Sequence, residues 1–192
     1  INARIFQAST SEVYGDPEVS TRGCIEPTLA RLADGRILMV MRGSNDVRPE
    51  LPGYRWYSIS TDDGNTWSPA APWCYESGEE FHSPSSCSQL LHHSNGEIYW
   101  IGNICNENPQ GNHPRYPIVI GRVDQDRAAL IEDTVTVIDD RKPGDGEVVT
   151  LSNFSAIEDR EHHTVLLHLC RSSRGGDAPF QGDCMRYEIE VT

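Results

Sequence analysis

Two arginines and one glutamate are the residues of this chain whose types suggest binding chemistry. Arg42 ends an apolar run, Arg115 follows a proline in a polar loop, and Glu26 opens the first predicted hairpin. A guanidinium group presents a planar fork that grips a carboxylate through two hydrogen bonds, so convergent arginines would hold an acidic ligand in water. Glu26 could act as a general base, hydrogen-bond to sugar hydroxyls or pair with Arg42. The residues alone leave these three roles open.

Histidine and asparagine side chains provide further candidates. His82 precedes a Ser-Pro-Ser stretch and His113 lies in the loop of the second arginine. Both are placed for acid–base work, because imidazole changes its charge near neutral pH, although a histidine in a polar loop is often only solvated. Asn103 ends the second repeat of the apolar run, and Asn153 precedes the third predicted hairpin. Amides at these positions suit sugar hydroxyls and would serve equally as turn caps.

The elements that must position these side chains are predicted to be β-hairpins. Apolar runs flank Ala33-Asp34-Gly35, Ser94-Asn95-Gly96 and a polar turn near Asp159. The three turns recur at intervals of about sixty residues, which is at the long end for the four-stranded blades of a β-propeller. We expect the hairpins to bury the following residues between sheets: Leu29, Leu32, Ile37, Leu38, Leu90, Ile98, Trp100, Ile157, Val165 and Leu167.

Outer strands follow each hairpin. They are predicted at residues 56–60, at 118–123 with a second run at 134–138, and at 185–191. This pattern gives three blades, the last without a fourth strand. Residues 4–8 would form the outer strand of a preceding blade or complete the last one. The whole chain is then one partial propeller domain, with blades at about 25–75, 84–140 and 150–192 and a neighbouring blade's strand within 1–24.

Composition and charge narrow the class of protein. The chain of 192 residues has 16 glycines and 12 prolines, which favours many short strands joined by turns. A net charge of -13 argues against nucleic acid or an anionic membrane as a partner. No apolar run is long enough to cross a bilayer. Fifteen of the 16 basic residues are arginine, a skew that suits an acidic ligand, although a bias in genome composition would produce it equally.

Cysteine spacing indicates neither a metal site nor a disulfide framework. No C-x-x-C pair is present, so a zinc site is not expected, and neither is any other metal or cofactor. Buried free thiols are the default interpretation, and Cys170 and Cys184 could face one another across the last predicted hairpin. A secreted, periplasmic or cytoplasmic location stays open. The six cysteines are Cys24, Cys74, Cys87, Cys105, Cys170 and Cys184.

Residues 60–67 form a compact turn motif, Ser-Thr-Asp-Asp-Gly-Asn-Thr-Trp. Asp62 can accept hydrogen bonds from backbone N–H groups further along, Gly64 can adopt a positive φ, and Trp67 can cover the turn. The spacing S-x-D-x-G-x-T-W resembles the Asp-box of the sialidase (neuraminidase) or BNR family. This resemblance implies an all-β, sialidase-like propeller that is six-bladed when complete, with about three blades in this chain. In that family the box lies on the outer hairpin of a blade, away from the active site.

The same resemblance assigns roles to three residues and also reveals departures. Glu26 would match the glutamate that activates the nucleophile, while Arg42 and Arg115 would match the second and third arginines that bind the carboxylate of sialic acid. Sialidases use a tyrosine nucleophile, and Leu151 stands where it would fall. The first arginine and the acid/base aspartate would lie upstream of residue 1.

The function expected on this basis is that of an exo-sialidase-like glycoside hydrolase acting on terminal acidic sugars. The alternatives are a uronate-directed polysaccharide lyase or other glycosidase with a histidine base, and a carbohydrate-binding propeller without catalysis. An acidic carbohydrate is the expected partner. Three blades leave strand faces bare, so upstream blades or a second copy of the chain would be needed to close the ring.

Overall fold

The strands of this chain follow the turn signals of its sequence. In a computed structural model, which describes residues 20–176 and 179–191, three antiparallel sheets lie in succession. The first sheet contains β1 (Ile25–Arg31), β2 (Ile37–Arg42), β3 (Arg55–Ser60) and β4 (Ala71–Pro72) in that order. The expected strand at residues 4–8 lies outside the described residues.

The second and third sheets repeat the hairpin of the first and differ at their edges. The second contains β5 (Gln89–His92), β6 (Ile98–Asn103), β7 (Ile118–Asp124), β8 (Ala129–Leu130) and β9 (Thr136–Asp139), with a 3-10 turn at Glu132–Thr134. Both β8 and β9 pair with the outer edge of β7. The third contains β10 (Val148–Thr150), β11 (Ser155–Asp159), β12 (Thr164–Arg174) and β13 (Gln181–Glu190). Strand β13 pairs with one edge of β12, and β10 and β11 pair with the other.

The glycine turns explain why these hairpins close where they do. Gly35 and Gly96 have φ values of 91° and 89°, a region that favours glycine. Strand β1 pairs with β2, and β5 with β6, directly across these turns. The three predicted inner hairpins and the all-β fold are therefore confirmed. In the part of the chain that the structure describes, no helix is long and apolar enough to cross a membrane.

Apolar residues between the sheets form the core. One cluster lies between the first and second sheets and includes Leu38, Trp73 and Trp100, all at most 1% exposed. A second cluster, between the second and third sheets, includes Ile101 and Leu167. Strands β2 and β6 are buried on both faces, as blades stacked around an axis would be.

Two of the residues expected in this packing are less buried than the sequence predicted. Leu29 is only partly buried. The prediction for Ile157 is wrong, because its side chain is 57% exposed. It lies on the face of the third sheet that no other described sheet covers, whereas Ala156 on the opposite face is buried.

The turn at residues 60–67 connects β3 to β4 and contains several hydrogen bonds to the Asp62 carboxylate. Asp62 Oδ1 accepts from the Thr66 backbone N–H at 2.8 Å and from Ser60 Oγ at 2.9 Å, while Asp62 Oδ2 accepts from Thr66 Oγ1 at 2.7 Å. The hydrogen bonds from Thr66 hold the pKa of Asp62 below its usual value. Gly64 has a φ of 82°, and Trp67 packs on the outer apolar cluster of the first sheet.

An ion-pair network joins the loop after β9 to the third sheet. Arg171 donates to Asp139 Oδ2 at 3.0 Å and to both carboxylate oxygens of Asp145 at 2.8 and 2.7 Å. Asp139 also accepts from the Tyr187 hydroxyl at 2.6 Å and lies 3.0 Å from Lys142 Nζ. The side chains of Asp139 and Arg171 are only 5% and 13% exposed, so this network replaces water around the charges that it pairs.

Candidate functional site

Glu26 and Arg42 meet at one end of the first sheet. We call this the site end, where β2 and β6 end and β3 and β7 begin. Arg42 is the last residue of β2, and the pairing of β1 with β2 shifts register between Ile25 and Thr28. Glu26 lies within this irregularity with a φ of 50°. Its Oε2 is 3.1 Å from Arg42 Nη1, so the two predicted site residues form an ion pair.

A second arginine stands beside Arg42. Arg55 is the first residue of β3 and lies directly opposite Arg42 in the antiparallel register, with no exposed surface. Its Nε donates to Ser83 Oγ and its Nη2 to Ser86 Oγ, both at 2.9 Å. Burial lowers the pKa of Arg55 to about 10, which still leaves the guanidinium charged at neutral pH.

Sequence reasoning missed Arg55, although a signal was present. The strand that contains it begins five residues before Ser60 and runs antiparallel to β2. Its first residue must therefore lie at the same end as the last residue of β2. This antiparallel order would have identified the start of β3 as a region near Arg42, whereas the register that sets Arg55 opposite Arg42 is seen only in the structure.

Arg115 reaches the site end from the loop before β7. Its Nη2 donates to the Ser85 carbonyl and to Asn112 Oδ1, both at 3.0 Å, and its Nη1 lies 3.4 Å from Ser152 Oγ. Burial lowers the pKa of Arg115, and the positive charge of Arg42 lowers it further. Ser85 precedes Ser86, which binds Arg55, so Arg115 lies at the same end as the Arg42–Arg55 pair, although it comes from a different sheet.

We call Arg42, Arg55 and Arg115 the arginine cluster. Glu26 is the carboxylate of this end and pairs with Arg42. Three positive charges and this one negative charge leave a surplus of two positive charges. Arg42 Nε, Arg55 Nη1 and Arg115 Nε have no hydrogen-bond partner among the residues that the structure describes. These three nitrogens are buried, so the contribution of the cluster to binding an anion is its net positive charge.

The two predicted asparagines differ in their access to this cluster. Asn103 is fully buried and its amide donates to the carbonyls of Pro117 and Leu151 at 2.9 and 3.0 Å, so it joins loops and lies outside the surface that a ligand would contact. Asn153 is exposed, has a φ of 58° and donates its backbone N–H to Cys87 Sγ at 3.1 Å.

Cys87 belongs to the site end but was not predicted there. It precedes Gly96 by nine residues, the same separation as that of Glu26 from Gly35, so the repeat assigns both to equivalent positions. Cys87 directly follows Ser86, whose hydroxyl accepts from Arg55 Nη2 at 2.9 Å.

The two candidate histidines occupy different surroundings. His82 stacks on Tyr54, with ring centroids 5.7 Å apart. His113 lies near Arg115, and burial, followed by the charges of Arg115 and Arg174, lowers its pKa. The imidazole is therefore neutral at pH 7 and able to accept a proton.

A cavity of about 250 Å³ lies beside Arg115. It is lined by Asn112, His113, Arg115, Thr150, Ser172 and Phe180. A larger cavity of about 440 Å³, near Arg122 and Ile189, contains none of the arginine cluster. Of the arginine cluster, Arg115 alone lines the smaller cavity, and we take this cavity as the part of the candidate site next to Arg115. Within the described ranges, no group of three or more His, Cys, Asp or Glu residues is arranged to hold a metal ion.

Comparisons with solved structures identify the fold. The chain is similar to a mutant of NanB sialidase from Streptococcus pneumoniae, with a TM-score of 0.57, 16% identity and 86% of this chain covered. It is also similar to the intramolecular trans-sialidase from Ruminococcus gnavus, with a TM-score of 0.54, 15% identity and 86% coverage. A GH43_12 protein retrieved from a capybara gut metagenome gives a TM-score of 0.52, 14% identity and 85% coverage. The match covers 23%, 32% and 31% of these three chains, respectively.

Comparison with protein families agrees with the structural neighbours. No curated protein matches the sequence. Residues 6–176 match the family described as BNR repeat-like domain, which is most of the chain. The neighbours share a β-propeller fold with this all-β chain of three successive sheets. The chain belongs to the BNR repeat-like family and has the fold of part of a sialidase-like β-propeller, with about three blades present.

Proposed function

We propose that the arginine cluster binds the carboxylate of a terminal acidic sugar and that the chain is the carboxylate-binding part of a sialidase-like glycoside hydrolase. The observation that carries this proposal is that Arg42 pairs with Glu26 and lies opposite Arg55, while Arg115 reaches the same end through its hydrogen bond to the Ser85 carbonyl. A sugar carboxylate at this end would neutralise part of the mutual repulsion of the three guanidiniums.

Glu26 would change its role when the sugar binds. In the empty site it pairs with Arg42 at 3.1 Å, which keeps the guanidinium oriented. Its side chain is 42% exposed, so it is accessible to a ligand at the same end of the sheet. A bound carboxylate would compete for Arg42 and leave Glu26 free to accept a proton from a nucleophile or to hydrogen-bond to sugar hydroxyls.

The nucleophile is the part of the reaction that this chain does not supply at the position expected from the family resemblance. Leu151 stands there and is fully buried. A hydrolase with a tyrosine nucleophile would therefore need that tyrosine from another segment. Two of the structural neighbours are a sialidase and a trans-sialidase, which supports an acidic sugar as the ligand class.

Calorimetric titration of the full chain tests the proposal. The probes are N-acetylneuraminic acid and its methyl ester, which has the same ring but no charge. We expect the acid to bind and the ester to bind at least about tenfold more weakly, as the loss of a charged hydrogen bond predicts. Equal affinities for the two compounds would refute a carboxylate site.

Matched arginine variants localise the binding. Arg42→Gln and Arg115→Gln should each weaken binding of the acid by about 10- to 100-fold. Arg127→Gln is the control, because Arg127 is 68% exposed and follows the opposite end of β7. Binding that survives both cluster variants would place the ligand elsewhere.

One observation supports a second candidate, a uronate-directed lyase. His113 is held neutral beside Arg115, and a neutral imidazole next to a carboxylate clamp can abstract the proton adjacent to a uronate carboxylate. Incubation with a polyuronate separates the candidates, because a lyase forms an unsaturated product that absorbs ultraviolet light and a hydrolase does not. Binding of the acid with neither product formed would indicate a carbohydrate-binding propeller without catalysis.

A further inference from the structure

Cys170 and Cys184 form a cross-strand pair on the face of the third sheet that no other described sheet covers. They are direct partners in the antiparallel register of β12 and β13. Both are free and exposed. Their neighbours on the same face are the pairs His168–Arg186 and Ser172–Gly182. Opposed residues of an antiparallel pair direct their side chains to the same face, so the two thiols lie side by side.

The backbone spacing here suits a disulfide. A Cβ built on Gly182 would lie 3.0 Å from Ser172 Cα, so this pair is closely spaced. Along antiparallel strands, opposed residues with a short Cα–Cα distance (narrow pairs) alternate with opposed residues with a longer one (wide pairs). Pairs two residues apart are therefore of the same kind. The register between Ser172–Gly182 and Cys170–Cys184 is continuous, so the cysteine pair is also narrow. Narrow pairs have Cα atoms about 4.5 Å apart, within the range of about 4.4–6.8 Å that disulfides span.

We propose that Cys170 and Cys184 are a redox-active pair that forms a reversible disulfide between the two strands. The oxidant is a small-molecule disulfide, such as oxidised glutathione. One cysteine loses its proton and its sulfur attacks the small-molecule disulfide, giving a mixed disulfide and a released thiolate that takes up a proton. The second cysteine then attacks the protein sulfur of the mixed disulfide and displaces the other half as a thiol. Two electrons pass from the two protein thiols to the oxidant, which becomes two thiols.

The disulfide would act on the wall of the candidate site. Strand β12 has 11 residues, against 6 in β2 and β6, and its extra length lies beyond Cys170 towards the site end. Ser172 and Phe180, in this extension of the hairpin, line the cavity beside Arg115. A bond at the base of the extension would hold that wall in place and favour ligand binding. This last step rests on the proposed function, whereas disulfide formation does not.

Thiol counting and peptide mapping test the bond itself. The reduced full chain is incubated with oxidised glutathione. The expected result is the loss of two thiols and the appearance of a peptide pair that is joined through Cys170 and Cys184 and that a reductant separates. Cys170→Ser and Cys184→Ser should each stop at the mixed disulfide with glutathione. Cys74→Ser, which changes a cysteine outside the pair, should still form the link. Glutathione retained on both cysteines of the unaltered chain would overturn the proposal.

Thermal unfolding and ligand titration distinguish the two steps. Oxidation should raise the midpoint of thermal unfolding by roughly 5–10 °C, as expected for a closed loop of this length. It should also strengthen binding of N-acetylneuraminic acid severalfold. Equal affinities of the oxidised and reduced chains would overturn the effect on the wall while leaving the disulfide established. Absence of binding in both forms would refute the proposed function and not the disulfide.

Discussion

Arg42 and Arg55 occupy directly opposed positions on β2 and β3, so two guanidiniums enter the site end from one cross-strand pair. Like charges directly opposite one another destabilise a sheet. Here Ser83 and Ser86 hydrogen-bond to Arg55, and Glu26 pairs with Arg42. These contacts offset part of the repulsion, and a bound anion would offset more of it. The pair therefore links the stability of the empty site to its affinity for ligands.

Replacing Arg55 by methionine separates these two effects. Methionine fills a similar volume without the buried charge, so we expect the free energy of unfolding of Arg55→Met to lie within about 1 kcal/mol of the unaltered protein. Affinity for N-acetylneuraminic acid should fall about tenfold, because one of three positive charges is lost. Urea denaturation and calorimetry measure the two quantities.

Arg122→Met is the matched control for this prediction. Arg122 is 35% exposed and pairs with Glu97 at 3.8 Å, away from the cluster. Its replacement should leave ligand affinity unchanged. A loss of folding in Arg55→Met, with affinity per folded molecule preserved, would show that Arg55 is a structural residue only.

The turn at residues 60–67 should contribute to stability and not to binding. Asp62→Ala removes the acceptor for the Thr66 N–H and for two hydroxyl groups, so we expect the thermal midpoint to fall by a few degrees. Asp126→Ala, in the corresponding turn of the second sheet, is the control and should have little effect. A large loss of ligand affinity in Asp62→Ala at unchanged stability would contradict the assignment.

Local signals in the sequence were sufficient to predict the hairpins. The turns at Gly35 and Gly96 have the positive φ that only glycine adopts without strain, and apolar strands follow each turn directly. The period of about sixty residues then predicted that Glu26, Arg42 and Arg115 would lie at one end of neighbouring sheets. In the structure Glu26 pairs with Arg42, and Arg115 hydrogen-bonds to the Ser85 carbonyl at the same end.

Features that depend on distant contacts were not predicted. The position of Arg55 depends on the register between β2 and β3 after a long loop, and its burial depends on Ser83 and Ser86 from the next sheet. Ile157 was expected in the core because its hairpin was predicted to be buried on both faces, but burial of its face requires a neighbour that the described chain does not provide. Sequence periodicity reports which face is apolar and not what covers it.

The ion-pair network around Arg171 should make the free energy of unfolding depend on pH. Hydrogen bonds from Arg171 hold the pKa of Asp145 well below its usual value. Burial raises the pKa of Asp139, but hydrogen bonds from Tyr187 and Lys142 outweigh this effect and lower the pKa of Asp139 below its usual value. Carboxyl groups with lowered folded-state pKa values stabilise the fold above the unfolded-state value of about 3.9, and this contribution is lost as the pH falls through the folded-state values.

Arg171→Leu tests this dependence by urea denaturation between pH 2 and pH 6. The variant should be less stable than the unaltered protein near pH 6, and the difference should shrink as the pH falls below about 4. Arg160→Leu, which alters an arginine that is 87% exposed, should follow the unaltered protein throughout. A difference that stays constant over this range would assign Arg171 a packing role without electrostatic coupling.

His113 should report occupancy of the arginine cluster through its pKa. Burial and the charges of Arg115 and Arg174 lower this pKa, so folding disfavours the protonated imidazole and stability falls as the pH drops below the unfolded-state value of about 6.5. A carboxylate bound beside Arg115 adds negative charge, so N-acetylneuraminic acid should raise the pKa of His113 and bind more tightly at lower pH. Arg115→Gln should raise the pKa of His113 without ligand.

The exposed His162, whose pKa Asp159 raises, is the internal reference and should not respond to the ligand. Nuclear magnetic resonance titration of both rings measures these values, and a His113 pKa that is unchanged both in Arg115→Gln and on addition of the acid would contradict a carboxylate site at Arg115.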